Sequence, residues 1–93
     1  MTQQQKRAIV SVIGKDQVGI IAKVTTLLAE RTINILDISQ TILQEFFTMM
    51  MLVDITNLED LESLQQQLAE LGKSLGLTIN IQREEIFQAM HRV

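Results

Sequence analysis

The hydrophobic and polar residues of this 93-residue chain follow two different periods, and each period predicts a type of element. Short runs rich in β-branched residues predict strands, whereas apolar residues spaced three or four positions apart predict helices that bury one side. The pattern predicts strands at residues 7–14, 32–43, 46–55 and 77–82. It predicts helices at residues 18–31, from about Asn57 to Gly76, and at 83–93.

The ends of these predicted elements carry local signals. Asp16 precedes the first helix, and its carboxylate could accept hydrogen bonds from the free N–H groups of the first turn. Gln44 and Glu45 make a two-residue connection between the second and third strands, which should therefore form an antiparallel hairpin. Gly76 is suited to end the second long helix, because glycine tolerates the left-handed backbone of a helix stop.

The order of elements is strand, helix, strand, strand, helix, strand and a short terminal helix. Right-handed crossovers fold two such βαβ-type halves into one four-stranded antiparallel sheet with both helices on one face. We therefore predict an α+β fold, the ferredoxin-like βαββαβ sandwich. The chain is long enough for one domain, which we divide into a flexible N-terminal arm at residues 1–6, the sandwich at 7–83 and a C-terminal helical extension at 84–93.

The sheet face without helices should be polar in a monomer, but the pattern does not make it so. Side chains alternate between the two faces of a strand, and in residues 46–55 both sets are largely apolar. An apolar patch of this kind on a small protein usually marks an interface, so we predict self-association. Alternatively, the terminal helix folds back over the patch within one chain through Ile86, Phe87 and Met90.

Composition and charge remove several classes of function. The net charge is −3 and the eight basic residues are scattered, which argues against direct binding of nucleic acid. The chain has no cysteine, so it can form neither a disulfide nor a thiolate metal site, which fits the cytoplasm. Neither a signal-peptide layout nor an apolar stretch of membrane-spanning length is present, and no membrane association is expected.

No group of residues has the pattern of a catalytic or metal site. The single histidine, His91, stands near the C-terminus without metal-ligating neighbours, and no serine is placed beside a base in a recognisable motif. We therefore predict that the protein is not an enzyme and that it needs no metal or cofactor.

The loop before the first helix contains the most informative residue, Gly19. A glycine in a first helical turn costs about 1 kcal/mol relative to alanine, so its presence needs a reason. Either it allows a neighbouring strand to pack closely, or it lets a small ligand approach the free N–H groups of the helix start. The loop is not a phosphate loop, since Ile20 and Ile21 occupy the positions where Lys and Ser or Thr are required.

The same loop resembles the signature of the ACT domain. Gly14-Lys-Asp-Gln-Val-Gly-Ile-Ile supplies the Asp-x-x-Gly-hydrophobic pattern at the helix start, and Asn34-Ile35 opens the second strand. The segment Asp37-Ile-Ser-Gln-Thr-Ile with Phe46-Phe-Thr-Met-Met is similar to short single-domain members related to the glycine cleavage system repressor family.

This resemblance implies a regulatory unit that pairs with itself and binds an amino acid at the interface. It assigns ligand contacts to two segments, Asp16, Gln17, Val18, Gly19 and Ile20 in the loop and Asn34, Ile35 and Leu36 in the second strand, the latter from either chain of a pair. We therefore predict a non-enzymatic homodimer that senses a small molecule such as an amino acid. The alternative is a protein–protein interaction module without a small-molecule ligand.

Overall fold

The computed structural model describes residues 6–90, and in them it has the element order that the sequence predicts. The strands are β1 (Arg7–Lys15), β2 (Asn34–Leu43), β3 (Phe46–Asp54) and β4 (Leu77–Arg83). The helices are α1 (Ile20–Glu30), α2 (Leu61–Leu75) and α3 (Glu84–Met90). Of the predicted arm, residues 1–5 lie outside the described residues, as do residues 91–93 of the predicted extension, including His91.

The four strands form one antiparallel sheet in the order β2-β3-β1-β4. In the centre of the sheet, Val10 of β1 lies opposite Met51 of β3 on one side and Ile81 of β4 on the other. All three side chains are buried and point to the same face. The predicted ferredoxin-like sandwich is therefore confirmed, with β1 and β3 in the middle and β2 and β4 at the edges.

The core lies between this face of the sheet and the two long helices. Side chains alternate between buried and exposed along β1 and β4, as a half-buried strand requires. Helix α1 contributes Val24 and Leu28, and α2 contributes Leu64 and Leu68, all fully buried. Each such side chain stabilises the fold by about 1.5–3 kcal/mol through removal of apolar surface from water.

The predicted cap of the first helix is wrong. The helix begins at Ile20 after Gly19, which takes the N-cap position with φ of 89° and ψ of 5°. Asp16 lies three residues before that cap, and its backbone N–H donates to the carbonyl oxygen of Glu45 at 2.8 Å. The left-handed turn at Gly19 directs the chain into the helix without help from a side chain.

The second long helix also begins later than predicted. Asp60, not Asn57, is its N-cap, and the Asp60 carboxylate accepts from the backbone N–H of Ser63 at 3.2 Å. The predicted stop is confirmed, since Gly76 caps the helix in the left-handed conformation with φ of 72°. Both glycines with positive φ therefore lie at helix ends.

Helix α3 covers part of the sheet face that α1 and α2 leave open. It packs against β1 and β4, and Glu84 forms an ion pair of 2.8 Å with Arg7, which points to the open face. Phe87 is half-buried, whereas Ile86 is 49% exposed and the side chain of Met90 lies outside the described part of the chain. The alternative in which the terminal helix folds back is thus correct for one end of the face.

The other end of the open face stays uncovered. Ile13 is 51% exposed, Leu43 72% and Phe46 58%, and these residues lie together where β1, β2 and β3 meet the hairpin. The open face is therefore apolar and exposed, as predicted, in the part beside the β2–β3 turn.

The C-terminus of α1 is closed by a Schellman motif. The N–H of Ile33 donates to the carbonyl oxygen of Leu28 at 3.0 Å, and the N–H of Thr32 donates to that of Ala29 at 2.9 Å. Thr32 carries a φ of 57°, which is unfavourable for a β-branched residue. This position therefore stores backbone strain.

Replacement of Thr32 by glycine should stabilise the protein by about 1 kcal/mol, because glycine adopts the left-handed conformation without a steric penalty. Urea unfolding at equilibrium measures the change. Thr26→Gly is the matched control, since Thr26 is exposed inside α1 and its replacement should destabilise by about 0.3 kcal/mol. A destabilised Thr32→Gly variant would contradict this account of the helix end.

Candidate functional site

A groove opens at one end of the sheet, between the start of α1 and the edge strand β2. Its volume is about 310 Å³. The loop before α1, the first turn of α1 and two strands line it, through Asp16, Gln17, Gly19, Ile20, Ile21, Ala22, Gln40, Ile42 and Phe47. Four of the predicted loop residues, Asp16, Gln17, Gly19 and Ile20, therefore lie around one cavity.

The loop is held from both sides. Besides the bond between the Asp16 N–H and the Glu45 carbonyl, the side-chain amide of Gln17 donates to the carbonyl oxygen of Leu75 at 2.7 Å. Gln17 thus ties the loop to the last turn of α2. Val18 at the tip is 99% exposed and is not among the residues that line the groove.

Gly19 is required by its backbone conformation and not by close packing. A Cβ atom added there would meet no atom within 4 Å in the described part of the chain. The φ of 89° lies in the region that side chains other than glycine rarely adopt. Of the two explanations left open by the sequence, packing of a neighbouring strand is therefore wrong for residues 6–90, none of which fills the space above Gly19.

The start of α1 offers unused hydrogen-bond donors to the groove. The first bond of the helix runs from the N–H of Lys23 to the carbonyl oxygen of Gly19 at 3.0 Å. Within residues 6–90, the N–H groups of Ile20, Ile21 and Ala22 have no acceptor, and the first turn carries neither a side-chain cap nor an acidic residue. A helix start with these properties attracts a carboxylate or another anion.

The opposite wall comes from two residues of β2 that the sequence analysis missed. Gln40 and Ile42 pair with Met49 and Phe47 of β3 and lie on the helix side of the sheet. Ile42 is nevertheless 56% exposed, because α1 does not extend over the edge strand, whereas Phe47 below it is 3% exposed. Counting the strand pairs from the β2–β3 turn would have placed both residues on the helix side of the sheet, beside the buried residues of β3.

The other predicted segment lies elsewhere in the chain. Asn34 pairs with Asp54, which pairs with Arg7. Asp54 is seven residues after Phe47 in β3, so this row of paired residues lies about 23 Å along the strand from the groove. Within one chain, Asn34, Ile35 and Leu36 therefore do not meet the loop of Asp16–Ile20.

Two further findings limit the chemistry of the described residues. No group of three or more His, Cys, Asp or Glu side chains in residues 6–90 is placed to hold a metal ion. None of the helices in that range is both long and apolar enough to cross a membrane.

The βαββαβ order, with β1 and β3 in the middle of one antiparallel sheet, defines the class of ferredoxin-like sandwich domains. The family comparison agrees with that class: the model of the ACT domain matches residues 6–82, and the chain belongs to the ACT domain family.

The relatives include UPF0237 proteins of bacteria and archaea. One from Clostridium acetobutylicum is 56% identical over 88 residues, which cover 94% of this chain and 99% of the relative. Another from Methanocaldococcus jannaschii is 49% identical over 88 residues, with coverage of 94% and 98%. The chain therefore matches these relatives along nearly their whole length.

Solved structures show the same fold. An ACT domain protein from Streptococcus pneumoniae superimposes with a TM-score of 0.80 at 43% identity, covering 95% of this chain and 100% of that one. A protein described as a glycine cleavage system transcriptional repressor gives a TM-score of 0.71 at 21% identity, covering 87% of this chain and 47% of that one. The second likeness concerns the fold alone.

Replacement of Gly19 by alanine should destabilise the protein by about 1–2 kcal/mol, because the backbone must stay left-handed. The new methyl group itself would meet no atom of residues 6–90 within 4 Å. Gly19→Asn should destabilise the protein less than Gly19→Ala, since asparagine tolerates the left-handed conformation. Thermal and urea unfolding of the wild type and the two variants measure the order of their stabilities. If Gly19→Ala were as stable as the wild type, the left-handed backbone would not be the reason for the glycine.

Proposed function

We propose that the protein is a regulatory homodimer that senses a small molecule, such as an amino acid, in the groove beside Gly19. The observation that carries this proposal is the open start of α1, where Ile20, Ile21 and Ala22 line a groove and their N–H groups have no acceptor within residues 6–90. Membership of the ACT domain family supports the regulatory role.

The chemistry of the groove suits a zwitterion with a short side chain. Its carboxylate would accept hydrogen bonds from the start of α1, where the helix dipole favours negative charge. Its ammonium would meet the exposed carboxylate of Asp16 or the side-chain oxygen of Gln40. Its side chain would lie on Ile42 and Phe47, which form the apolar wall and floor.

The edge strand β2 is the surface that supports pairing. It runs for ten residues with all but Ile35 exposed, and it includes the apolar side chains of Leu36, Ile38 and Ile42. A long exposed edge with apolar residues is a ready template for pairing with another strand. A second copy of β2 in antiparallel orientation is self-complementary about a two-fold axis.

A pair of β2 strands would also bring the two predicted ligand-contact segments, residues 16–20 and residues 34–36, close to each other. When two β2 strands run antiparallel about their middle, the first residues of one lie next to the last residues of the other. The partner's Asn34 and the partner's Leu36 would then lie near Ile42 of the first chain and near its Asp16–Ile20 loop. The interpretation of Asn34, Ile35 and Leu36 as ligand contacts therefore depends on the dimer.

A protein-binding module is the second candidate. The exposed apolar cluster of Ile13, Leu43 and Phe46 favours it, because this cluster lies on the open face and is not needed for the groove. In this case the small-molecule ligand would be absent.

An amino acid that binds the groove should raise the melting temperature, with a stabilisation of about 2.7 kcal/mol at a concentration one hundred times its Kd. A thermal-shift screen of the twenty amino acids at millimolar concentration measures this. Gln40→Leu should abolish the shift, whereas the matched control Asn80→Leu on the opposite edge should retain it. A screen without any stabilising amino acid would contradict the ligand part of the proposal.

The wild-type protein should sediment at twice the mass of the 10.6 kDa chain at micromolar concentration. Ser39→Lys should give a monomer, because it places two like charges close to the two-fold axis in the middle of β2. Asn80→Lys adds the same charge to the same face at the β4 edge and should leave the dimer intact. Pairing through the open face would instead be disturbed by both variants, and a monomeric wild type would refute pairing altogether.

A further inference from the structure

A second cavity lies at the end of the sheet opposite the groove. Its volume is about 480 Å³, and it opens between the ends of β1 and β4 and the segment that leads into α2. Three apolar residues form its inner part: Ile55 is 6% exposed, and Leu58 and Leu61 pack half-buried against the core. The cavity therefore has an apolar floor of the size of a short aliphatic side chain.

Charged residues of both signs surround this floor. Lys6 and Arg83 supply two cations, and Glu59 and Glu85 supply two carboxylates. None of these four charged side chains forms an ion pair with another residue in the range 6–90. Arg7 also lines the cavity, but its guanidinium is already held by Glu84 through contacts of 2.8 and 3.0 Å.

The backbone brings the two free cations to the same side of the sheet. The carbonyl oxygen of Lys6 accepts from the N–H of Ile55 at 2.8 Å, which continues the β1–β3 ladder by one residue. Ala8 pairs with Arg83, and Lys6 lies two residues before Ala8 on the same side of the strand. Long side chains at such diagonal positions of neighbouring strands reach each other, so one carboxylate can lie between both cations.

From this arrangement we propose a second ligand site, which takes a small zwitterion with an aliphatic body. The carboxylate of the ligand binds between Lys6 and Arg83, its ammonium binds Glu59 or Glu85 at the rim, and its aliphatic part covers the apolar floor. A ligand with only a negative charge would be repelled by the two carboxylates, and a ligand with only a positive charge would be repelled by the two cations. The balanced charges therefore select a ligand that carries both. This site is separate from the groove beside Gly19 and does not depend on the proposed function of that groove.

Nitrogen-15 amide spectra of the full chain, titrated with leucine, 4-methylpentanoate and isopentylamine, test the proposal. Leucine should give saturable shifts at the amides of Ile55, Leu58 and Arg83, with a Kd of about 1 mM for so small a ligand in an open site. The 4-methylpentanoate ion is leucine without the ammonium, and isopentylamine is leucine without the carboxylate. Each should bind about tenfold more weakly, because each leaves two charged groups of the cavity without a partner.

Two variants with matched controls assign the roles of the charges. Arg83→Met should weaken the binding of leucine about two- to fivefold, and Glu59→Gln should weaken the binding of leucine while improving that of 4-methylpentanoate. Lys15→Met and Glu45→Gln remove charges from the ion pair at the far end of the sheet and should change neither affinity.

Two results would overturn the second site. Shifts confined to residues 16–22 and 40–42 would place leucine in the groove alone, which supports the proposed function and refutes this cavity. Equal affinity for leucine and 4-methylpentanoate would refute the role of the carboxylates. Conversely, saturable shifts at Ile55, Leu58 and Arg83 without any at the groove would leave this site standing and show that leucine is not a ligand of the groove.

Discussion

The packing of α1 and α2 on one face of the two central strands is the constraint on which the rest of the molecule depends. Val10, Met51 and Ile81 lie side by side on that face and are buried beneath the helices. A shift of one residue in either strand pairing would move a whole row of apolar side chains to the opposite face. The register is therefore fixed, and with it the position of every loop at the ends of the sheet.

This packing also limits where cavities can form. The helices fill the middle of one face, α3 covers part of the other, and the groove and the second cavity open at the two ends of the sheet. At one end the groove is bounded by backbone N–H groups and Gln40, and at the other end Lys6 and Arg83 lie above Ile55. In the two proposals, the carboxylate of a ligand would bind at a helix start at the first end and between side-chain cations at the second, and both ends combine polar groups with an apolar wall.

The sequence predicted the elements and their order well, because alternation in strands and the three-to-four spacing in helices follow directly from which side is buried. It failed where the conformation of one residue decided the outcome. Asp16 has the side chain of an N-cap, but Gly19 turns the chain into the helix through a backbone angle that no periodicity records. For α2, Asn57 and Asp60 both have side chains suited to an N-cap, and it is the Asp60 carboxylate that accepts from the N–H of Ser63.

The candidate site was predicted for the loop and missed for the strand, for a geometric reason. Whether a residue on the helix side of an edge strand is buried depends on how far the helix reaches across the sheet. The sequence of β2 contains no information on the position of α1, so Gln40 and Ile42 were not distinguished from core residues. The placement of Asn34 at the far end became clear only from the full β2–β3 register.

The two edges of the sheet differ in a way that bears on self-pairing. Proteins usually protect edge strands with charges, proline or a bulge. In β2 the bulge lies at Leu36, and the Asp37 carboxylate accepts from the N–H of Ile38 at 2.8 Å, so both protective features are confined to its first half. By alternation the N–H groups of Gln40 and Ile42 also point away from β3, and within residues 6–90 they have no acceptor. The unprotected half of β2 is thus the half that borders the groove, and pairing there would close the site from its open side.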